Sequence, residues 1–417
     1  MIANFKTSLA GRLKKTGQKF NLDLAYFVKN SFWASLKQII ETFSGLIFYV
    51  LFARLASQEI FGQYQLFLSI LAVASIFSVP GLNTALIRSA AKGYDGDYKR
   101  VPKISFSWSL LGIPALILIG LFYLTFQKNP QIAQALLLTS VFFPLLYTFR
   151  FWESFLHGKG AFKKAAQFSA FFSLSINALL ITMAFCFKNK LLPIVLAYLL
   201  AHTLLNLILT KKSQSLKKNN KQDKESIKYG YFLTKLNILG NIANNIDKLL
   251  VGTFLSPAQL AVYSVGTLFT RQVQGVSKNI MGITIPKYIK HKKLPRSIYL
   301  KIFAASVVFT VLLLVAFHYG IPLLFKEKYA DSIFLSKISI IFFPFFVLSS
   351  LYRNQFLFTN KKVIAGESII FQILKIASSL LILPFWGIEG LAFILGFQYV
   401  IVTINLFVLG KIFKEES

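Results

Sequence analysis

The feature that most constrains this chain is its succession of long apolar stretches, which run from residue 31 almost to the C-terminus. A helix rising 1.5 Å per residue needs roughly 20 apolar residues to cross a hydrocarbon core of about 30 Å. Twelve stretches meet that length: 31–55, 62–80, 104–126, 131–156, 162–187, 191–210, 229–254, 258–284, 298–325, 330–358, 363–386 and 388–410. More than half of the 417 residues are apolar, 44 are Phe, and only 15% carry charge. A soluble chain averages roughly 25% charged residues and has no interior large enough for so much hydrocarbon. A β-barrel fails on span length, because its strands are only about ten residues of alternating polarity. The lone cysteine, Cys186, excludes a disulfide framework within one chain. The expected fold is an all-α polytopic membrane protein with about twelve transmembrane helices.

Net charge is +31, from 46 Lys and Arg against 15 Asp and Glu. On a soluble protein that excess would suggest nucleic acid. Here it reports topology. Placing the N-terminus in the cytoplasm puts 31 Lys and Arg in the loops of that side and only Lys128, Lys188, Lys190, Lys326 and Lys328 in the opposite ones. Such an asymmetry in short loops is the positive-inside signature. Both termini are therefore expected in the cytoplasm, with no nucleic-acid partner. Residues 1–30 have no signal-peptide h-region. Ile2, Phe5, Leu9 and Leu13 recur among basic residues instead, which predicts an amphipathic helix on an anionic membrane surface.

Ten basic residues fall inside the stretches: Lys37, Arg54, Arg150, Lys235, Lys248, Arg271, Lys278, Lys337, Arg353 and Lys375. Each costs roughly 2.5–3.5 kcal/mol at mid-membrane, so lipid-facing placement is disfavoured. Arg54, Arg150, Lys235 and Arg353 lie where snorkelling removes most of that cost. The others sit on polar stripes. Ser264, Thr267, Arg271, Gln274 and Lys278 share one helical face, as do Asn237, Asn241, Asn244 and Lys248, with Asp247 on the flank. Ser31, Ser35, Gln38 and Thr42 form a third stripe beside Lys37 and Glu41, and Ser368, Gln372, Lys375 and Ser379 a fourth. Four such stripes predict a water-filled cavity. No acidic residue falls between Arg271 and Lys278, so the pair reads as two unpaired cations awaiting an anion. Lys37, Lys248, Arg271, Gln274, Lys278 and Lys375 are the expected substrate-binding residues. Trp33, Trp108, Trp152 and Trp386 lie near span ends and read as interfacial anchors.

The chain also repeats itself. ARLASQEIFGQY (53–64) aligns with GTFLSPAQLAVY (252–263), with Ser57/Ser256 and Tyr64/Tyr263 in register; Phe155–Leu156 aligns with Phe356–Leu357 at nearly the same offset. An offset near 200 predicts two parallel six-helix lobes around a central cavity, as in alternating-access carriers. The expected boundaries are a basic N-terminal segment (1–30), a first lobe (31–210), a cytoplasmic linker (211–228) and a second lobe (229–417).

The run KNSFWASLKQIIETFSGLIFYVLFARLASQEIFGQYQL, followed by VPGLNTALIRSAAK, resembles the opening of the O-antigen and polysaccharide flippases. So does NNIDKLLVGTFLSPAQLAVYSVGTLF in the second half. These flippases belong to the multidrug/oligosaccharidyl-lipid/polysaccharide exporter superfamily. The resemblance implies that a polyprenyl-diphosphate-linked oligosaccharide, such as an O-antigen repeat unit for lipopolysaccharide, is moved across the bacterial cytoplasmic (inner) membrane. It also implies work beside a polysaccharide polymerase and glycosyltransferases, amid membrane lipids. A drug/cation antiporter of the same superfamily is the alternative; it should favour carboxylates in its cavity. An enzyme is not expected: the chain has no phosphate-cradling P-loop, and its outer loops are too short for a polymerase or transferase site. His157, His202, His291 and His318 are scattered, so no metal or cofactor is expected. Glu41, Asp247 and Glu367 are candidates for ion coupling, with plain ion pairs to neighbouring lysines as the competing reading.

Overall fold

In hydrocarbon every backbone N–H and C=O must find its partner within the protein, and only helices do so along a single span. The computed structural model describes residues 24–282, 295–359 and 361–415, and these fold into helices joined by short turns. The amphipathic segment expected at 1–30, as far as residue 23, and His291 lie outside the described residues. The first lobe comprises α1 (Leu24–Leu55), α2 (Gln58–Ala74), α3 (Gly81–Ala91), α4 (Asp97–Ser109), α5 (Gly112–Thr125), α6 (Pro130–Thr148), α7 (Trp152–Gly158), α8 (Phe162–Cys186) and α9 (Leu191–Ser213). The second comprises α10 (Ser226–Leu250), α11 (Pro257–Gly282), α12 (Arg296–Phe325), α13 (Ser332–Ile341), α14 (Phe343–Thr359) and α15 (Lys361–Glu415).

Local signals set several helix starts. Ser57 caps α2 by accepting from the Ile60 amide at 3.2 Å, and Asn129 caps α6 from the Ile132 amide, with Pro130 at the first position. The long helix α15 breaks at Gly387, whose φ of 58° suits glycine. Its two limbs form a hairpin, because Gln398 Nε2 donates to Ser378 Oγ at 2.6 Å.

Nine helical stretches among the described residues are long and apolar enough to cross a membrane, the last being Gly366–Leu409 with this hairpin inside it. The helices α10 and α11, of 25 and 26 residues, have the length but not the hydropathy. They are the polar pair, and they lie between the lobes. Apolar side chains elsewhere stay open, Phe385 at 83% and Leu323 at 75%, as expected of a surface in contact with lipid rather than water. The interval between the apolar stretches 62–80 and 104–126, counted from the sequence as loop and basic over 88–103, is corrected. Those residues are mostly the end of α3 and the start of α4.

Within the first lobe α1 packs along α8, and α6 along α5 and α9; within the second α14 packs on α12 and α15. The lobes meet where α2 crosses α11 and α3 crosses α10. Glycine makes that approach possible. A Cβ on Gly62 would stand 1.7 Å from the Pro257 carbonyl oxygen, and one on Gly81 would stand 2.2 Å from that of Gly230. Small residues at helix crossings let backbones touch in this way. Phe52, Phe61 and Tyr64 fill the adjoining core, with ring centroids 4.8–5.6 Å apart.

At the end of the bundle carrying the 55–58 turn, the lobes are tied by hydrogen bonds. Lys328 donates to the carbonyls of Ala53 (3.2 Å) and Ala56, the last turn of α1. Tyr329 donates to Ala53 (3.3 Å), Gln58 to the Lys328 carbonyl, and Arg54 to that of Leu323 (2.5 Å). A lysine at a helix C-terminus satisfies orphan carbonyls and opposes the helix dipole.

At the opposite end residues 217–223, expected as a linker, are instead bound to the first lobe. Asp95, fully buried, accepts from Lys159 Nζ (2.9 Å) and from the Lys218 amide (2.7 Å). Asp97, also fully buried, accepts from the Asp223 amide (3.2 Å), and the Gly96 amide donates to the Lys221 carbonyl (2.8 Å).

Two outcomes follow from these contacts. Lys328→Ala removes the tie on α1, so a cysteine placed at Thr267 in a Cys186→Ser background should label several-fold faster with an impermeant maleimide added from the Lys328 end; unchanged labelling would rule the tie out as a closure. Asp95→Ala strands Lys159 and a backbone amide, and should lower unfolding stability by about 3 kcal/mol, read as a lower Tm in detergent.

Candidate functional site

Three of the four polar stripes converge. A cavity of about 450 Å³ lies inside the second lobe, lined from α10, α11, α13, α14 and both limbs of α15. From α11 it receives Thr267, Arg271, Gln274 and Lys278; from α10, Asn244 and Asp247; from α15, Ser368, Gln372 and Lys375. Helical spacing of three and four residues puts each set on one face.

At the head of the cavity, Asp247 is 1% exposed. It accepts from the Tyr263 hydroxyl at 2.7 Å and from the Arg271 guanidinium. Two elements thus supply one charge-neutral unit: a carboxylate near the end of α10, and an arginine two turns beyond a tyrosine on α11. Arg271 keeps 39% of its side chain exposed, so the guanidinium donors left over face the cavity. The α10 helix ends just past Asp247 in a π-turn, Val251–Leu255, a distortion that recurs at functional sites.

At the other side of the cavity, Arg353 grips Glu367 with two bonds (2.8 and 3.2 Å) and stacks 5.0 Å from the Phe371 ring centroid. Two cations remain. Lys278 has its ammonium 5.7 Å from the Phe346 ring centroid, and neither it nor Lys375 has a carboxylate within 4 Å among the described residues. Of the five charged side chains on the lining, Asp247 offsets Arg271 and Glu367 offsets Arg353 from behind. The two ammonium groups are the excess.

The structure corrects the single basic site expected from sequence. Arg271, Gln274, Lys278 and Lys375 come together; Lys37 and Lys248 do not join them. Lys248 is not on the cavity lining and donates instead to Gln65 of α2 at 3.1 Å. Lys37 belongs to the first lobe, paired with Glu41 (3.4 Å) and with Glu153 of α7. The stripe beside it stays exposed along α1 at Ser31, Ser35 and Gln38. Arg271 is not unpaired, because Asp247 arrives from a neighbouring helix. The three coupling candidates Glu41, Asp247 and Glu367 all stand in ion pairs. Trp152 is no interfacial anchor: it is buried and donates to Asn206 at 2.9 Å.

Tyr263, Arg353 and Phe346 were missed as site residues. A signal for Tyr263 existed in the internal repeat. At its offset of 199, Asp247, Tyr263 and Arg271 correspond to Phe48, Tyr64 and Ala72. In the first lobe that copy is apolar, with the Phe48 and Tyr64 rings 6.2 Å apart and edge-on. The same frame is filled with hydrocarbon in one lobe and with a charge pair in the other.

Two helical lobes that meet through α2 with α11 and α3 with α10, with a cationic cavity inside one of them, define a multi-pass membrane protein. The backbone is similar to that of the lipid II flippase MurJ in an inward closed conformation (TM-score 0.68, 15% identity, covering 92% of this chain and 87% of that one). It is also similar to an inward-facing multidrug resistance MATE family transporter of the MOP superfamily (0.64, 13%, 92% and 97%). A third likeness is to a MOP superfamily transporter from Pyrococcus furiosus, described as having a binding pocket of reverse polarity (0.55, 13%, 93% and 95%). At these identities the likeness is one of fold. No curated protein matches the chain. The sequence itself is more specific: the chain belongs to the polysaccharide biosynthesis protein family, whose pattern matches residues 27–290. That membership bears out the resemblance read from the two quoted runs.

The pairing makes a stability prediction. Arg271→Ala leaves the Asp247 carboxylate buried and alone, which should cost about 2 kcal/mol, less than a sealed pair because Arg271 opens on the cavity. Adding Asp247→Asn should recover much of the loss, whereas Lys278→Ala should leave Tm unchanged. Equal Tm values for the single and double variants would refute the pairing.

Proposed function

We propose that this protein moves a polyprenyl-diphosphate-linked oligosaccharide across the cytoplasmic membrane of a bacterium by alternating access, with both termini in the cytoplasm. The two ammonium groups left over in the second-lobe cavity carry this reading. Enclosing them without a counter-ion is costly, and a diphosphate is the anion that polysaccharide assembly supplies at a membrane. Arg271 holds it through the donors that Asp247 leaves free, while Lys278 and Lys375 act as point charges. On this reading the lobes are the halves 31–210 and 229–417, joined by 211–228, of which residues 217–223 are hydrogen-bonded to the first. Glycosyltransferases supply such a substrate and a polymerase consumes it.

The drug/cation antiporter shares this fold. It is disfavoured by the charge of the lining, which repels a cation.

The test is flipping in proteoliposomes of a fluorescent polyprenyl-diphosphate glycan. A charge-assisted hydrogen bond contributes about 1.5–3 kcal/mol, so each lysine is worth roughly a tenfold effect. Lys278→Ala with Lys375→Ala should slow flipping by about a hundredfold at unchanged Tm. Flipping by the double variant at the wild-type rate would reject the headgroup site, and uptake of a cationic dye with no glycan flipping would favour the antiporter.

A further inference from the structure

A second cavity, of about 360 Å³, lies at the seam between the lobes, and its lining is uncharged. One wall is the point at which α2 stops. The helix tightens into a 3-10 turn at Ser75–Ser78, Val79 adopts φ 55°, and Pro80 separates it from α3. A positive φ is unfavourable for a β-branched residue, and such strain gathers at functional sites. The other wall is α10, with Thr234, Asn237 and Asn241. At 360 Å³ the space falls within the range of small-molecule pockets.

Some of its polar groups are committed to the fold. Thr234 Oγ1 accepts from the Gly81 amide (3.0 Å) and donates to the Gly230 carbonyl (2.9 Å), and Asn241 donates to the Ala72 carbonyl (2.9 Å) across the seam. Others are open. Asn237 spends its amide nitrogen on the Leu233 carbonyl one turn back (2.9 Å), which leaves its oxygen facing outward, and Thr84 is exposed on the cavity. Neutral amides and hydroxyls, each able to accept and donate, match vicinal ring hydroxyls and an acetamido group. The lining holds no cation to offset a phosphate's charge and no carboxylate for a metal ion.

The two cavities share a helix. Asn237 and Asn241 line the neutral one and Asn244 the charged one. From Asn237 to Asn244 is about 10 Å at 1.5 Å per residue. A ligand with a dianionic part and a neutral polyhydroxyl part on one chain would meet both in sequence along α10.

We propose that the seam cavity is the sugar subsite, taking the first pyranose next to the diphosphate through Asn237 and Thr84. The inference rests on the function proposed above. It adds that recognition is divided: charge is read inside the second lobe, and the sugar is read where the lobes meet. A sugar in that place touches α3 of one lobe and α10 of the other, so its binding is sensitive to how they are docked.

The experiment measures the Kd of the purified full chain for two probes, undecaprenyl diphosphate and undecaprenyl-diphosphate-N-acetylglucosamine, by native mass spectrometry. The wild type should bind the glycosylated probe about tenfold more tightly. Thr84→Val with Asn237→Ala touches neither cross-lobe bond, and should abolish that preference while leaving the Kd for undecaprenyl diphosphate unchanged. Lys278→Ala with Lys375→Ala should weaken both probes and keep the preference. A preference that survives in the Thr84/Asn237 variant, or that the wild type lacks, overturns the subsite and leaves the headgroup reading standing. Binding of neither probe by the wild type overturns both. Stabilisation by sodium that is lost in the Thr84/Asn237 variant would assign the cavity to a cation instead and overturn the sugar reading.

Discussion

The cost of a charge in hydrocarbon governs this molecule. A carboxylate at Asp247 and a guanidinium at Arg271 survive at membrane depth only because each neutralises the other, with the Tyr263 hydroxyl completing the carboxylate's bonds on one oxygen. That requirement sets the pair on the faces of α10 and α11 turned into the protein, while Phe232, Leu236, Val276 and Ile280 stay exposed on other faces of the same two helices. Of the two helices too polar to qualify as spans by hydropathy, α10 lines both cavities and α11 lines the charged one.

The lobes are built on one frame and filled differently. Where the second lobe places Asp247, Tyr263 and Arg271, the first places Phe48, Tyr64 and Ala72, and its aromatic rings pack edge-on. At those three positions the first lobe carries no charge. Its own charged cluster, Lys37 with Glu41 and Glu153, balances internally to one net negative charge and lies apart from the cavity.

The contacts between lobes differ at the two ends. At one end they are lysine, arginine, glutamine and tyrosine donors on backbone carbonyls, as in Lys328 on the last turn of α1. Such bonds are few and separately breakable. At the other end Gly81 and Gly230 bring backbones into contact, and buried Asp95 and Asp97 hold residues 217–223 against the first lobe. The start of α10 is thereby fixed to the first lobe while its far end supplies the second lobe's charge pair.

The sequence by itself determined the helical class, the membrane as solvent, the repeat and the family, because these depend on span length, composition and local pattern, which need no tertiary contact. It also marked Arg271, Gln274, Lys278 and Lys375 through helical phase, since residues three and four apart share a face in any helix. Phase cannot say which faces meet. Only the tertiary structure decided that Asp247 would neutralise Arg271, that Lys248 would turn to Gln65, and that Lys37 would stay in the other lobe. Those outcomes depend on the rotation of each helix about its axis and on the crossing of α2 with α11, which small residues such as Gly62 permit without announcing. The cavity that the broken end of α2 makes with α10 exists only once two lobes pack.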